Sequence, residues 1–258
     1  MSVPTALRFV EPQALGYRRT WRASVFSNFL NPVLYLLAMG ASLGTLVDAS
    51  ADPSGAGLPY LVWLGPGLLA AQAMQTAVGE GAFPVMAGFR WRKTYVLVTH
   101  TPLAAEDIAV STIVWQTIRV LQVCAIYAIV LVFFDVVDIA GAMGLTLVAG
   151  LIGLAFGPAT MAFTARLKNE LGLTNLFRYA VVPMFLFSGT FFPISQLPDW
   201  LAPVAYVVPL FHGVELARAV AIDLPTTLPW WVSVAYLLTW AAVGTTLTLR
   251  AFHRKLVV

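Results

Sequence analysis

Apolar and polar positions fall in long blocks along this chain. Six blocks are apolar over most of their length and carry almost no charge; they cover residues 25–47, 59–78, 108–134, 140–165, 177–194 and 230–249. Each is close to the roughly 20 residues that a helix needs to cross the hydrocarbon core of a bilayer. Because backbone groups in a bilayer must be hydrogen-bonded within the segment, the pattern predicts an all-α membrane protein with six transmembrane helices.

Composition agrees with this fold class. Of the 258 residues, 59% are hydrophobic and only 10% are charged, whereas charged residues make up about a quarter of a soluble domain. This small number of charged residues cannot cover a water-facing surface. We therefore expect one transmembrane domain over residues 1–258. The single cysteine, Cys124, excludes an intrachain disulfide and is expected to be a packing residue.

The basic residues predict the orientation. Basic residues lie before the first block, between the second and third, between the fourth and fifth, and after the sixth. The other connections contain acidic residues, and Arg218 is the only basic residue in them. The positive-inside tendency therefore places both termini in the cytoplasm of a cell with this protein in its plasma or inner membrane. Residues 1–24 become a cytoplasmic amphipathic N-terminus, and residues 80–107 a cytoplasmic connection. We expect contact with membrane lipid and no nucleic-acid partner.

The extracytoplasmic connection, residues 195–229, is interrupted by prolines and yet remains apolar. The pieces between its prolines are too short to cross a core of about 30 Å at about 1.5 Å per residue. Proline starts or ends helices, so we predict two short helices, over residues 197–207 and 211–222. They would form a re-entrant hairpin that dips into the outer leaflet, where protein or water must cover irregular backbone. The alternative is an interfacial loop that rests on lipid headgroups.

A second informative stretch, residues 88–108, is basic and aromatic. Its candidate functional residues are Arg90, Trp91, Arg92, Lys93 and Tyr95. As a short amphipathic helix on the cytoplasmic side, it could be a docking element for a soluble partner. It could equally be an electrostatic anchor to anionic lipid. Glu80, just before this stretch, could cap or pair near it.

Arg119 is the single basic residue in the interior of a predicted span, since Arg178 lies at the very start of the fifth; Gln116 and Gln122 lie one turn to either side of Arg119. Intramembrane arginine is costly and tends to face protein or water. Arg119 and Gln116 are therefore candidates for the wall of a translocation path or for a dimer contact. The alternative is an arginine whose hydrogen bonds are purely structural.

The extracytoplasmic side has two more groups of candidates. His212, Glu215 and Arg218 are spaced so that neighbours meet on a helix, and an ion-pair network that braces the hairpin is favoured over proton or substrate handling. Phe191 and Phe192 could close a hydrophobic gate by dewetting, although aromatic residues are common at membrane boundaries.

No catalytic motif occurs in the sequence in the structural context that its chemistry needs. None of the three lysines, Lys93, Lys168 and Lys255, follows a glycine, so the chain has no P-loop for ATP. The sequence also lacks an HExxH zinc-protease pattern. A G-x-S-x-G string occurs at residues 40–44, but it lies inside the first apolar block and not at the strand-to-helix turn that a nucleophile elbow needs. We therefore expect a non-enzymatic chain with no metal site and no cofactor of its own. Two alternatives remain: an ATP-independent secondary transporter or channel, and a membrane-embedded enzyme that acts on lipid.

One combination of motifs resembles a known family. The fifth block closes with SGTFFPxxxLPxW; ten residues after Leu197-Pro198 comes Pro209-Leu210-Phe211-His212, and five more precede Arg218. Together with the basic cytoplasmic element, this order resembles type-2 ABC exporter permeases, in the subgroup of nodulation-factor and daunorubicin-resistance permeases. The chain departs from that subgroup at Ser111, where an acidic residue is common.

The resemblance implies a division of labour. Such permeases pair as dimers, here a homodimer, and bind two copies of a separate ATPase that holds ATP and Mg²⁺. Residues 90–95 would then belong to the coupling helix that contacts the ATPase. The two short outer helices would form an extracytoplasmic gate above a path for an amphiphilic or hydrophobic substrate, such as a drug, a lipid or a lipid-linked saccharide.

Overall fold

The computed structural model describes residues 8–38, 58–196, 198 and 202–257, and every regular element in these ranges is a helix. The α-helices, in chain order, are α1 (Val10–Tyr17), α2 (Trp21–Ala38), α3 (Tyr60–Met86), α4 (Thr94–Val98), α5 (Ala105–Phe133), α6 (Ile139–Arg166), α7 (Leu171–Leu176), α8 (Val182–Phe187), α9 (Ala202–Val207), α10 (Pro209–Ile222) and α11 (Trp230–Leu256). A π-helix, Ala87–Trp91, extends α3, and a second one, Phe177–Val181, joins α7 to α8. A short 3₁₀ helix, Ile194–Gln196, precedes α9.

Four helices in the described ranges are long and apolar enough to cross a membrane. They are α3 with its π extension, α5, α6 and α11. The continuous helix from α7 through α8, Leu171–Phe187, is apolar but shorter. The predicted all-α membrane class is therefore confirmed, with four of the six predicted spans at full length.

Several predicted boundaries were wrong. The second span, predicted to end at Val78, continues as helix to Trp91, and the third begins at Ala105. In the region of the fifth predicted span, the helix covers Leu171–Phe187 rather than residues 177–194. Hydropathy marks where a segment stops being apolar, whereas a helix can continue through charged residues that have partners. In the region of the first predicted span, the helix begins at Trp21, and residues 39–57 lie outside the described ranges.

The core lies where α3 packs against α5 and α6. Within the most apolar part of each span, 72% of α3 is buried but only 22% of α11. Small residues bring α3 and α6 together, because a Cβ atom on Gly81 would lie 2.9 Å from the carbonyl oxygen of Gly157. Close approach through small residues is typical of helix pairs in membranes. α3 is therefore the central helix.

The two ends of the bundle differ. At one end, called the basic end, α1, α4 and the last turns of α11 meet around Phe9, Phe89, Tyr95 and Phe252. Glu106, at the start of α5, is also hydrogen-bonded there to His253. At the other end, called the proline end, α10 packs against the start of α3, and α9 packs against α10. The segments predicted to share the cytoplasm therefore meet at one end.

Candidate functional site

At the basic end, a sharp turn follows the π extension of α3 and leads into the short helix α4, which precedes α5. Arg90 and Trp91 close the π extension of α3, and Arg92 and Lys93 form the turn before α4. All four side chains are exposed. Lys93 has a φ of 52°, in the left-handed region that few residues other than glycine adopt. The predicted amphipathic helix is therefore a five-residue helix, α4, that follows a turn.

Helix α4 has one buried and one exposed face. Tyr95 is buried, and its ring centroid lies 4.9 Å from that of Phe89 and 5.5 Å from that of Phe252. Burial raises the pKa of Tyr95 to about 12. On the other face Val96 is 42% exposed and Leu97 is 64% exposed. The buried Tyr95 side chain therefore supports the exposed face from within, and its place in the contact with a partner stays a prediction.

Gly88 is what allows Tyr95 to pack so closely. A Cβ atom at this position would lie 2.3 Å from the Tyr95 ring, well inside van der Waals contact. Trp91 adds a second restraint, because its indole nitrogen donates a hydrogen bond of 2.7 Å to Glu170 Oε1. The turn is thus held against the aromatic cluster and against the connection that follows α6.

Arg119 is the centre of a polar network near this end. Its Nε lies 3.1 Å from Glu80 Oε1 in an ion pair, and its other nitrogens donate to Gln122 Oε1 at 2.9 Å and to Ser24 Oγ at 3.1 Å. The guanidinium also lies 4.0 Å from the centre of the Tyr17 ring, whose hydroxyl accepts a hydrogen bond from Gln122. The network joins α1, α2, α3 and α5.

Sequence reasoning found only part of this network. It singled out Arg119 and anticipated a partner for Glu80, but it missed Ser24 and Tyr17, which lie 95 and more residues away in sequence. Spacing along one helix correctly suggested Gln122. Pairs that join different helices leave no periodic signal in a single sequence.

Gln116 does not join Arg119. It is buried against α6, where its amide donates a hydrogen bond of 3.2 Å to the carbonyl of Gly153. The structure therefore places it in a helix–helix contact, and Arg119 and Gln116 do not form the common polar face that their spacing suggested.

A cavity of about 950 Å³ lies between α1, α3, α4 and α5. Its lining combines polar with apolar side chains, including Arg8, Gln13, Glu80, Arg92, Leu97 and Trp115. Because Arg119 lines it too, the cavity connects the polar network with the exposed turn. Movement of the turn would therefore change the surroundings of the network directly.

At the proline end, the chain leaves α8 through a non-helical stretch that contains Phe191 and Phe192. The Phe191 ring packs edge-on against Phe185 with 4.9 Å between centroids, and its carbonyl accepts a hydrogen bond of 3.2 Å from the Tyr60 hydroxyl. Phe192 is half-buried. The two short helices, predicted at 197–207 and 211–222, are Ala202–Val207 and Pro209–Ile222, and residue 197 lies outside the described ranges.

Arg218 connects α10 to the rest of the bundle. Its guanidinium donates to the backbone carbonyls of Trp63 at 3.2 Å, Gly189 at 2.9 Å and Thr190 at 3.1 Å. It also lies 3.6 Å from the centre of the Trp63 ring. One side chain thus fixes α10 both to the start of α3 and to the stretch that precedes Phe191.

The ion pairs predicted for His212, Glu215 and Arg218 do not form. His212 lies between the Ser233 hydroxyl, 3.1 Å from Nδ1, and the carbonyl of Tyr206, 3.0 Å from Nε2. Glu215 accepts a hydrogen bond from the backbone of Thr227. The three side chains do brace this segment, but each reaches a different partner, because tertiary packing overrides helical spacing.

The protonation of His212 follows from its partners. Burial lowers the pKa of its imidazole. A carbonyl can only accept, so Nε2 carries the proton, and in the neutral ring Nδ1 accepts from the Ser233 hydroxyl. His212 therefore acts here as a neutral link between α9, α10 and α11.

Comparison with known proteins identifies the family of this chain. Residues 9–222 match the family described as ABC-2 type transporter. The chain is similar to nodulation protein J of Rhizobium meliloti (strain 1021), with 26% identity over 82% of this chain and 79% of the relative. Nodulation protein J of Neorhizobium galegae is 24% identical over 86% of this chain and 88% of its own length. The chain belongs to the ABC-2 type transporter family.

Proposed function

We propose that this chain is the membrane-spanning subunit of an ATP-driven exporter for an amphiphilic or hydrophobic substrate. The family match and the long apolar helices support the transport role. The relatives named nodulation protein J support the same role. The substrate range to test, a drug, a lipid or a lipid-linked saccharide, comes from the family resemblance of the sequence motifs. ATP and Mg²⁺ would bind to a separate ATPase.

One observation carries the coupling part of the proposal. The exposed apolar residues Trp91, Val96 and Leu97 lie beside three basic side chains, at the end of the most deeply buried helix. An exposed apolar patch with a polar rim is typical of a protein docking site. A force applied here acts directly on α3 and, through the Arg119 network, on α1, α2 and α5.

The remaining features form a consistent scheme. Two ATPase copies would bind two copies of this chain, whose six spans leave both termini in the cytoplasm together with the basic end. At the proline end, α9 and α10 would form a re-entrant gate, with Phe191 and Phe192 at its narrow point. ATP binding and hydrolysis would alternate between closure at the basic end and closure at this gate.

The proposal is tested by purifying the tagged chain in mild detergent from its native host. We expect a P-loop ATPase to co-purify in a 1:1 ratio in a complex whose mass corresponds to two copies of each chain. Recovery of a stable oligomer of this chain alone, with no response to ATP, would contradict the proposal and favour an ATP-independent transporter or channel.

A further inference from the structure

An apolar groove lies at the proline end between α6, α10 and α11, away from the Arg119 network and the coupling turn. It has a volume of about 500 Å³, and its lining includes Leu147, Leu151, Leu216, Ala219, Val220 and Trp230. Leu147 is 73% exposed, whereas Leu216 is only 5% exposed. The groove therefore reaches from the outer surface of these helices into the bundle.

The shape of the groove is fixed by the backbone around it. α10 approaches α6 closely, because a Cβ atom on Gly144 would lie 2.1 Å from the side chain of Val220. Beyond α10, residues 224–226 of the following loop line the groove. The backbone N–H of Thr227 donates a hydrogen bond to Glu215, which ties this loop back to α10. The groove is therefore part of the fold and not a gap between loose side chains.

The surroundings of the groove determine what can fill it. α6 and α11 are both long and apolar enough to cross a membrane, and the groove opens on their exposed apolar side. Its side chains carry only two polar groups, the Thr226 hydroxyl and the Trp230 indole N–H. Ordered water needs several polar partners and gains little in such a lining. A hydrocarbon chain from the bilayer instead buries its own apolar surface and that of the groove.

The two polar groups of the lining suit the headgroup end of a lipid. Trp230 is the first residue of α11 and is 63% exposed. A tryptophan at the end of a membrane-spanning helix is typical of the headgroup level. Its indole N–H and the Thr226 hydroxyl can both donate hydrogen bonds to the ester or phosphate oxygens of a glycerolipid.

The charges beside the groove restrict the headgroup. Glu215 and Asp223 each directly precede a residue of the lining, and Asp223 is exposed. The only basic residue in the sequence from 195 to 229 is Arg218, and its buried guanidinium is bonded to backbone carbonyls. The other basic residues of α6 and α11 all lie at the basic end. These carboxylates attract an ammonium group and repel a headgroup with a net negative charge.

We propose that this groove binds one acyl chain of a phospholipid whose headgroup carries an ammonium, such as phosphatidylethanolamine, and that the bound chain completes the packing of α10. The inference goes beyond the exporter function, because this lipid is a resident partner and not the transported substrate. It rests on the proposed function only for the orientation that places the groove in the outer leaflet. α10 would thus be held by Arg218 on the side of α3 and by lipid on the side of the groove.

The test uses the purified chain, with whatever ATPase accompanies it, in nanodiscs of equal parts phosphatidylethanolamine and phosphatidylglycerol. Two photoreactive lipids with the same diazirine-bearing acyl chain, one with each headgroup, are added separately in trace amounts. Mass spectrometry locates the label, and we expect it on Leu151 or Leu216 inside the groove. The phosphatidylethanolamine probe should label the groove about twofold to fivefold more than the phosphatidylglycerol probe, the range that one exposed ion pair supplies.

Two variants separate the chain site from the headgroup preference. Ala219→Phe puts a ring into the groove and should abolish the label there, whereas Ala242→Phe, at an exposed position of α11 outside the groove, should not. Asp223→Asn removes a charge and keeps the left-handed backbone, which asparagine tolerates. It should remove most of the headgroup preference and leave the label in place. Asp135→Asn makes the same change at another exposed aspartate with positive φ and is the control.

The contrary outcomes are distinct. Absence of label from the groove, as expected if a second polypeptide covers it, would overturn the site, and so would equal label in Ala219→Phe. Equal labelling by the two headgroups, or a preference that Asp223→Asn leaves unchanged, would overturn the headgroup class. ATP hydrolysis is measured in the same samples. An associated ATPase without label in the groove overturns only this inference, whereas label in the groove without an ATPase overturns only the exporter.

Discussion

The two buried arginines, Arg119 and Arg218, show how differently the two ends of the molecule are built. Arg119 is held by side chains from three other helices: Glu80, Ser24 and the Tyr17 ring. Arg218 is held by three backbone carbonyls and the Trp63 ring. Side chains can exchange partners by changing rotamer, whereas backbone carbonyls move only when the chain moves. The basic end is therefore suited to rearrange, and the proline end to move as one piece.

The largest effect is expected at Arg218. Arg218→Leu leaves three carbonyl oxygens without their donor, and we expect it to lower the free energy of unfolding by about 3 kcal/mol or more. Arg218→Lys should recover only part of this loss, because an ammonium group cannot reproduce the planar fork. Thermal unfolding in detergent measures both. Arg178→Leu, at an exposed arginine, is the control, and equal stability of the Arg178 and Arg218 variants would contradict the assigned role.

The next largest effect concerns the Arg119–Glu80 pair. Arg119→Leu leaves the Glu80 carboxylate partly buried without its cation, and we expect a loss of about 3 kcal/mol. The double variant Arg119→Leu with Glu80→Leu should be less destabilised than the sum of the single variants, because the unpaired charge is then gone. A double-mutant cycle of unfolding free energies measures the coupling. Strict additivity would show that the pair is only incidental.

Charge reversal at the turn tests coupling rather than stability. Arg92→Glu with Lys93→Glu should lower transport-coupled ATP hydrolysis about tenfold or more, because like charges at a rim strongly disfavour docking. Membrane insertion and unfolding temperature should not change, since both side chains are exposed. Hydrolysis by the reconstituted complex is the readout. Arg18→Glu with Arg19→Glu makes the same charge change in the turn after α1 and should have little effect; an equal loss there would indicate a general charge effect.

The smallest effect is expected at the proline end. Phe191→Ala with Phe192→Ala should raise substrate leak through reconstituted protein by a factor of a few, because a narrow apolar constriction excludes water. Flux of a fluorescent amphiphile across proteoliposomes without ATP measures it. Phe133→Ala, at a largely exposed aromatic residue at the same end, controls for loss of a ring. A seal that remains intact in the double variant would leave these phenylalanines as packing residues.

The fold class could be predicted from the sequence because few backbone structures satisfy all their hydrogen bonds within a bilayer. Helices α3, α5, α6 and α11 were each predicted from length and hydropathy, and the short helix predicted at residues 211–222 begins two residues earlier, at Pro209. The end of α3 was misplaced because Glu80 and Arg90 stop the apolar run without stopping the helix. A helix continues as long as its backbone hydrogen bonds form, and the backbone of a charged residue forms them as well as that of an apolar residue.

The sites were less predictable for a physical reason. Arg119, Arg218 and His212 were recognisable as unusual residues, but their partners come from elements distant in sequence. Helical spacing suggested a pair between Glu215 and Arg218; burial of Arg218 against α3 gave it carbonyl partners instead.

The most direct test of the coupling turn is a photocrosslinking residue placed at Leu97, irradiated in native membranes with and without ATP. We expect an adduct with a P-loop ATPase that changes in yield with ATP, and only lipid adducts from the same residue placed at the exposed Leu147. Adducts at Leu97 with lipid alone, whatever the nucleotide, would contradict the claim that this turn receives the force of ATP hydrolysis.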